Sequence, residues 1–411
     1  MNILFVSYGG GHIEMCLPVM RALRKIKPDF TLDIIALTTA YKVAQIAGES
    51  ALGYLNFVDQ VNFEQAKRYG ELIIDGVQHP TVCSNESIAY LGINFLEWVN
   101  DEGFDNAFER WKKVGRGGFF PLSFFKKILI EMRPDVVVTT NSPRSEHAAI
   151  EAAVTLGIPT VTMVDLFALK NDPFIRRSIY ADRITVLTQS TKSNLVHSGV
   201  DSDRIVVTGN PAFDALTSFE AFEEAERWKQ RKGWVGKHIV MWAGHKELED
   251  LNGIDFTDTS FGQEVQNQLV NWVKSRSDIC LIIRYHPNEW QDFQPPSPDG
   301  RVHWSDPSNE QLLPVLLNAQ QVVVQSSTVG VQAYTIGKRV IGLGFSPAVQ
   351  KSGMNAAKLD IGCSIDSIDE LIPELERGVL MEFNLPQCKA RRELGNASEL
   401  VAYEILSLLK R

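Results

Sequence analysis

Ser326, Ser327 and Thr328 place three consecutive hydroxyls between the β-branched run Val322 to Val324 and the apolar stretch Val329 to Ile336, which Gly337 stops. That pattern predicts a buried strand, a tight turn and a helix, with Val340 and Ile341 opening the next strand. Such a turn aims hydroxyls, free N–H groups and the positive end of a helix dipole at the carboxyl edge of a sheet, which suits a phosphate. Forty residues upstream, CLIIRYHP is another apolar strand, and it ends in Arg284, His286 and Pro287. A cation and an imidazole therefore join the hydroxyls at the edge where parallel sheets collect ligands. A bland alternative for His286 is a strand-end imidazole satisfied by neighbouring backbone.

The amino terminus offers a second set. MNILFVSYGGGH predicts a strand, Ile3 to Ser7, then Gly9, Gly10, Gly11 and His12, and a helix to about Ile26 that buries Met15, Met20, Leu23 and Ile26. Glycines there let the backbone approach a ligand closely and leave helix N–H groups free, although a plain tight turn has the same composition. PDVVVTTNS predicts a strand buried on both faces that ends in Asn141 and Ser142, with a helix from about Ser145 to Leu156. The next strand, IPTVTMVD, delivers a carboxylate, Asp165, to the same edge, where it is either a reactive group or a turn cap.

These elements require alternating strands and helices, and the alternation occurs twice. LDIIALTT continues the first series, and VHWSD and HIVMWAGHKE belong to the second. Tyr41 to about Asn106 shows helical patches without a clear order. WKKVGRGGFFPLSFFKK, Trp111 to Lys127, interleaves basic residues with Trp111 and two Phe-Phe pairs, so it reads either as an interfacial patch or as the start of an amphipathic helix, Leu122 to Met132, burying Phe125, Ile128 and Leu129. Glu249 to Thr259 reads as an acidic loop. Phe219 to Lys237, rich in Glu, Lys and Arg, reads as a solvated linker, and Ala397 to Leu409 as a terminal helix.

The 411 residues suffice for two α/β domains, and 44% apolar composition without a long apolar run indicates a globular chain. A net charge of −9 argues against nucleic acid as partner. Five cysteines without a C-x-x-C pair suit reduced thiols in the cytoplasm, with neither a zinc site nor a disulfide expected.

The strand-terminal His-Pro at His286 and Pro287, the Ser-Ser-Thr turn and the small-residue helix ending in Gly337 and Lys338 resemble the nucleotide-sugar half of GT-B glycosyltransferases. They are similar both to bacterial surface-polysaccharide transferases and to UDP-N-acetylglucosamine 2-epimerases, which share that fold. The resemblance implies an α/β, GT-B architecture of two Rossmann-like, doubly wound domains facing across a cleft. Its divisions are residues 1–217, a linker 218–237, residues 238–395, and a terminal helix 396–411 that either crosses back to the first domain or simply caps the second. It also implies that Gly244, His245 and Lys246 approach the donor phosphates. Gln332 then stands where UDP-using relatives carry a ribose-binding glutamate, which leaves the donor nucleotide open as UDP, CMP or another. Gly9, Gly10, Gly11, His12 and Asn141 would face an acceptor. In the epimerases the two strand ends carry acidic groups, and Asn141 stands at the first.

The leading expectation is thus an inverting, metal-independent glycosyltransferase without a cofactor, its nucleotide sugar being a substrate. Asp165 or His12 would be the base for the acceptor hydroxyl of a glycan or lipid-linked molecule, with peripheral contact at the inner membrane face through Trp111 to Lys127. The alternative is a nucleotide-sugar 2-epimerase, hydrolysing or not. A third is a sugar-nucleotide binding protein without catalysis.

Overall fold

The computed structural model describes residues 1–75, 82–170, 172–251, 254–381 and 396–409. The chain divides into two compact units, Met1–Ala212 with Asn396–Arg411, and Phe213–Gly395. Each holds a parallel sheet with helices on both faces, so the expected pair of Rossmann-like domains is present. Cys388 lies outside the described residues.

In the first unit the strands are β1 (Asn2–Ser7), β2 (Thr31–Ala36), β3 (Ala51–Leu52), β4 (Val136–Thr140), β5 (Thr160–Met163), β6 (Arg183–Val186) and β7 (Ile205–Val207). Their order is β3-β2-β1-β4-β5-β6-β7, every pair parallel. Ile3 lies opposite Val136, and Val138 opposite Val161. Alternate residues of β1 serve opposite faces, as the two-residue period of a strand dictates. Ile3 and Phe5 pack with Val19, Met20 and Leu23 of helix Gly10–Ile26 and with Val401 and Ile405 of helix Ala397–Leu408. Leu4 and Val6 pack on the other face with Phe125, Ile128 and Leu129 of helix Leu122–Met132.

The stretch that composition left unread is helical. Helices Phe63–Ile73 and Ser84–Glu102 pack so closely that a Cβ on Gly70 would stand 2.2 Å from the Ile88 carbonyl oxygen and one on Gly92 1.9 Å from that of Ala66. The aromatic residues suggested as a membrane patch belong to this layer. Phe119, Phe124 and Phe125 are buried, and Trp111 stacks on Phe119 with ring centroids 5.6 Å apart. Their apolar surface is spent on the core, which leaves the basic residues without the aromatic half of an interfacial face. Among the described residues no helix is long and apolar enough to cross a membrane.

The second unit contains β8 (His238–Gly244), β9 (Glu247–Leu251), β10 (Ile254–Asp258), β11 (Ile279–Tyr285), β12 (Val302–Trp304), β13 (Gln321–Val324), β14 (Arg339–Leu343) and β15 (Cys363–Ile365). Six of them form a parallel sheet in the order β12-β11-β8-β13-β14-β15. The stretch read as an acidic loop is instead the antiparallel pair β9 and β10. Phe219–Lys232 is a helix of this unit, and it is not wholly solvated. Ala221 and Ala225 pack on Leu317, and Trp228 is buried, because these positions recur at helical spacing within the charged sequence.

Strand order reverses between β1 and β4 in the first unit and between β8 and β13 in the second. In open α/β sheets that reversal splits the connections to opposite faces and leaves a crevice at the carboxyl ends of the strands. Both sets of chemically active residues fall there.

Candidate active site

At the reversal of the first sheet, Gly9 is extended (φ −165°, ψ 172°), a conformation any residue adopts, and the helix starts at Gly10. The glycine loop is thus a direct entry into a helix and not a backbone-forced turn. His12, on the first turn, hydrogen-bonds through Nδ1 to Thr140 Oγ1 at the end of β4. Thr140 Oγ1 donates in turn to Glu146 Oε2 at 2.5 Å. Glu146 is fully buried and also accepts from the Tyr8 N–H at 2.7 Å and the Ser142 N–H at 3.0 Å.

One residue further along, Asn141 and Asp165 bind each other reciprocally. Asn141 Nδ2 donates to Asp165 Oδ1 at 3.0 Å, and the Asp165 N–H donates to Asn141 Oδ1 at 3.2 Å. Asp165 lies two residues past β5, and its carbonyl accepts from Asn210 Nδ2 at 2.9 Å. The turn after β4 is fixed from below by Arg177, whose Nη2 donates to the carbonyls of Asn141 and Ser142 at 2.7 Å each. Burial pushes this guanidinium down to about 10, opposed by the Glu146 and Asp172 carboxylates. Desolvation raises Asp172, and the neighbouring Asp165 charge adds to the rise.

At the reversal of the second sheet, His245 and Lys246 follow β8, His286 follows β11 and Ser326 follows β13. These four line a pocket of about 380 Å³ with Glu289, Ala348, Lys351 and Ser352. The His245 N–H donates to Gln325 Oε1 at 2.9 Å, tying the two central strand ends together. His245 Nδ1 lies 2.6 Å from the Lys246 carbonyl, so Nδ1 carries the hydrogen and neutral Nε2 is an acceptor. That Nε2 is buried and has no hydrogen-bond partner among the described residues. His286 is the converse. Its Nδ1 accepts from the Asn288 N–H at 3.3 Å, which leaves Nε2–H as a donor.

Several expected ligand groups are placed otherwise. Arg284 is buried away from this pocket and donates to Ser305 Oγ at 2.7 Å and to the Glu310 carbonyl at 2.9 Å, because its position inside β11 turns it toward the edge of the sheet. Lys246 Nζ is paired with Asp292 Oδ2 at 2.7 Å, and its N–H donates to Glu289 Oε2 at 2.9 Å. Gly244 supplies its carbonyl to the His286 N–H at 3.0 Å. Ser327 caps helix Thr328–Thr335 by accepting from the Val329 N–H at 3.2 Å, while Thr328 and Pro287 are exposed and Gln332 is half-buried.

Reading residues alone missed Glu146, Asp172, Arg177 and Glu247. Glu146 and Arg177 are charged groups inside otherwise ordinary stretches, and only burial reveals them. Glu247, 2% exposed, accepts from Gln325 Nε2 at 2.5 Å, from Ser346 Oγ, and from the Ala348 N–H at 2.7 Å.

Residues 121–359, more than half of the chain, match the family model of UDP-N-acetylglucosamine 2-epimerases. No curated protein matches the chain. Among solved structures the fold is similar to that of the UDP-GlcNAc 2-epimerase from Neisseria meningitidis bound to UDP-GlcNAc, at 15% identity, covering 99% of this chain and 100% of that one with a TM-score of 0.56. It is similar as well to UDP-GlcNAc 2-epimerase from Methanocaldococcus jannaschii, at 16% identity, 99% coverage of each chain and a TM-score of 0.54. A third likeness is to S. aureus MnaA in a co-structure with UDP, at 12% identity, covering 100% of this chain and 98% of that one with a TM-score of 0.53. The family match overturns the glycosyltransferase expectation and, with it, the acceptor hydroxyl assigned to the first unit. Fold and phosphate-type turn are common to both enzyme classes, so they did not separate them. The chain belongs to the UDP-N-acetylglucosamine 2-epimerase family.

Proposed function

We propose that this chain inverts carbon 2 of the sugar in UDP-N-acetylglucosamine. The observation that carries the reading is the family match, which runs from before the end of β4 through the His245 and His286 pocket and past Ser326. The C2 hydrogen is not acidic while C1 holds its phosphate. As the C1–O bond lengthens, positive charge grows at C1 and the C2 proton becomes removable. The Nε2–H of His286, the Ser326 hydroxyl and the cations near the pocket suit the departing diphosphate. Proton removal from one face of C2 and return to the other, followed by re-addition of the phosphate, gives the epimer. That scheme is redox-neutral and consumes no cofactor, the nucleotide sugar being its substrate.

Inversion needs acid–base groups on two sides of the sugar. Asp165 is one. Asn141 does not remove a second carboxylate from the reaction so much as hold the first, since its amide donates to Asp165 Oδ1 and leaves the other oxygen available. A cytoplasmic setting is the one we assign, in keeping with the free thiols Cys16 and Cys280. The test is incubation of the purified chain with UDP-N-acetylglucosamine and no acceptor, followed by proton NMR. Appearance of UDP-N-acetylmannosamine supports a non-hydrolysing epimerase, and free N-acetylmannosamine with UDP a hydrolysing one. Intact substrate beside a protein that binds UDP would refute the reading.

A further inference from the structure

We infer that His12 is the second proton-transferring group of the site, and that Thr140 and Glu146 are positioning residues that fix its tautomer. The inference rests on the epimerase reading and adds to it the identity of the partner of Asp165. Its basis is a directed chain of hydrogen bonds. Glu146 is fully buried and already accepts from two backbone N–H groups, those of Tyr8 and Ser142, so it serves as an acceptor. The single hydroxyl hydrogen of Thr140 goes to Glu146 Oε2. Thr140 Oγ1 can then only accept from His12, which places the hydrogen of the neutral imidazole on Nδ1 and the lone pair on Nε2. An isolated histidine would distribute itself between both tautomers. Here one is selected, and the imidazolium formed when Nε2 takes a proton faces a buried carboxylate through one hydroxyl.

A mere structural tie between loop and strand would not need a charge. Burying a carboxylate behind a threonine is costly unless every donor around it is used, and three of them are supplied by the residues that shape this crevice. Topology gives the two groups opposite sides. The sheet order β1-β4-β5 sets the first turn of the helix after β1, bearing His12, and the segment after β5, bearing Asp165, on either side of the end of β4. Thr140 holds the first and Asn141, the next residue, holds the second.

In the forward direction the C2–H bond breaks and its proton passes to one of these groups. Its electron pair forms the C1–C2 double bond, and the C1–O pair leaves on the UDP phosphate oxygen. The other group, protonated from solvent before the step, returns its proton to the opposite face of C2 as the phosphate oxygen re-forms its bond to C1, and exchange of one proton with water by each group restores the starting protonation states. His12→Gln keeps the shape but removes the proton-accepting nitrogen, and turnover falls by about 10²-fold or more while UDP binding is retained.

The experiment labels histidine with nitrogen-15 and reads the tautomer of His12 from long-range proton–nitrogen correlations, the signal being assigned by its loss in His12→Gln. The expected result is the Nδ1–H tautomer in the native chain and a shift toward Nε2–H in Thr140→Val. Thr140→Val is also expected to lower kcat by about 10-fold or more with KM and the Kd for UDP nearly unchanged, and Thr140→Ser to restore both readings. An Nε2–H tautomer in the native chain overturns the inference, as does Thr140→Val turning over like the native enzyme. If the native chain epimerises no UDP-sugar at all, the epimerase reading falls, and the tautomer spectra still decide whether the relay exists.

Discussion

Glu247→Gln removes one charge from the second unit without changing the volume of the side chain. Glu247 Oε1 accepts from Gln325 Nε2 and Ser346 Oγ, and Oε2 accepts from the Ala348 N–H. An amide can satisfy only one of these sets. With its NH2 group on the Ala348 side, two donors face each other and one charge-assisted bond is lost. With the amide flipped, two bonds are lost. The lesser of these costs about 1.5–3 kcal/mol, because the site is buried and water cannot replace the missing acceptor. For a unit of this size that is a fall in melting temperature on the order of 3–12 °C. A second effect reaches the pocket. Gln325 Oε1 holds the His245 N–H, so loosening Gln325 frees the turn after β8 and weakens UDP binding by about 1 kcal/mol, roughly fivefold. Thermal unfolding with calorimetric UDP titration measures both. A variant with native melting temperature and native UDP affinity would refute the argument that this buried carboxylate organises the pocket.

Two further outcomes are expected. His286→Ala removes the Nε2–H donor and weakens UDP binding by about 1.5–3 kcal/mol without unfolding, because His286 is exposed; unchanged affinity by titration calorimetry would show that the imidazole serves only its own backbone. Glu310 is raised by burial, but hydrogen bonds from His303, Ser305 and Trp228 outweigh this and bring it from 4.5 down to about 2. Its folded value lies below its unfolded one, so its stabilisation is complete above about pH 4.5 and is lost as the pH falls through about 2. Glu310→Gln should therefore be less stable than the native chain at neutral pH, and the gap should close across that acid window; a gap independent of pH would contradict this.

Much of the scaffold is written in local patterns. The β-branched runs Val136 to Val138 and Val322 to Val324 are legible as strands because burial on both faces demands them, and Ser326 to Thr328 are legible as a turn into a helix, which the structure caps with the Ser327 hydroxyl. Helices Phe63–Ile73 and Ser84–Glu102 were not, since their contact depends on Gly70 and Gly92 meeting across some twenty residues of chain, and no local period records that. The site divides in the same way. His12, Asp165, His245 and His286 announce themselves at strand ends, whereas Glu146 looks like any helix glutamate until the sheet closes over it. Asn141 is hard to read for a related reason. Taken alone it is an acid replaced by an amide, and only its contact with Asp165 gives it a task. Arg284 shows the reverse error, a cation at the right strand end whose side chain is turned to Ser305 and Glu310.

The central claim is inversion at C2 through loss and return of a proton, and solvent deuterium reads that proton directly. When the chain is incubated with UDP-N-acetylglucosamine in D2O, mass spectrometry and proton NMR of the UDP-sugar or released sugar should show the C2 epimer carrying one deuterium at C2. Recovered UDP-N-acetylglucosamine without deuterium and without its epimer, from a protein that binds UDP, would contradict the account.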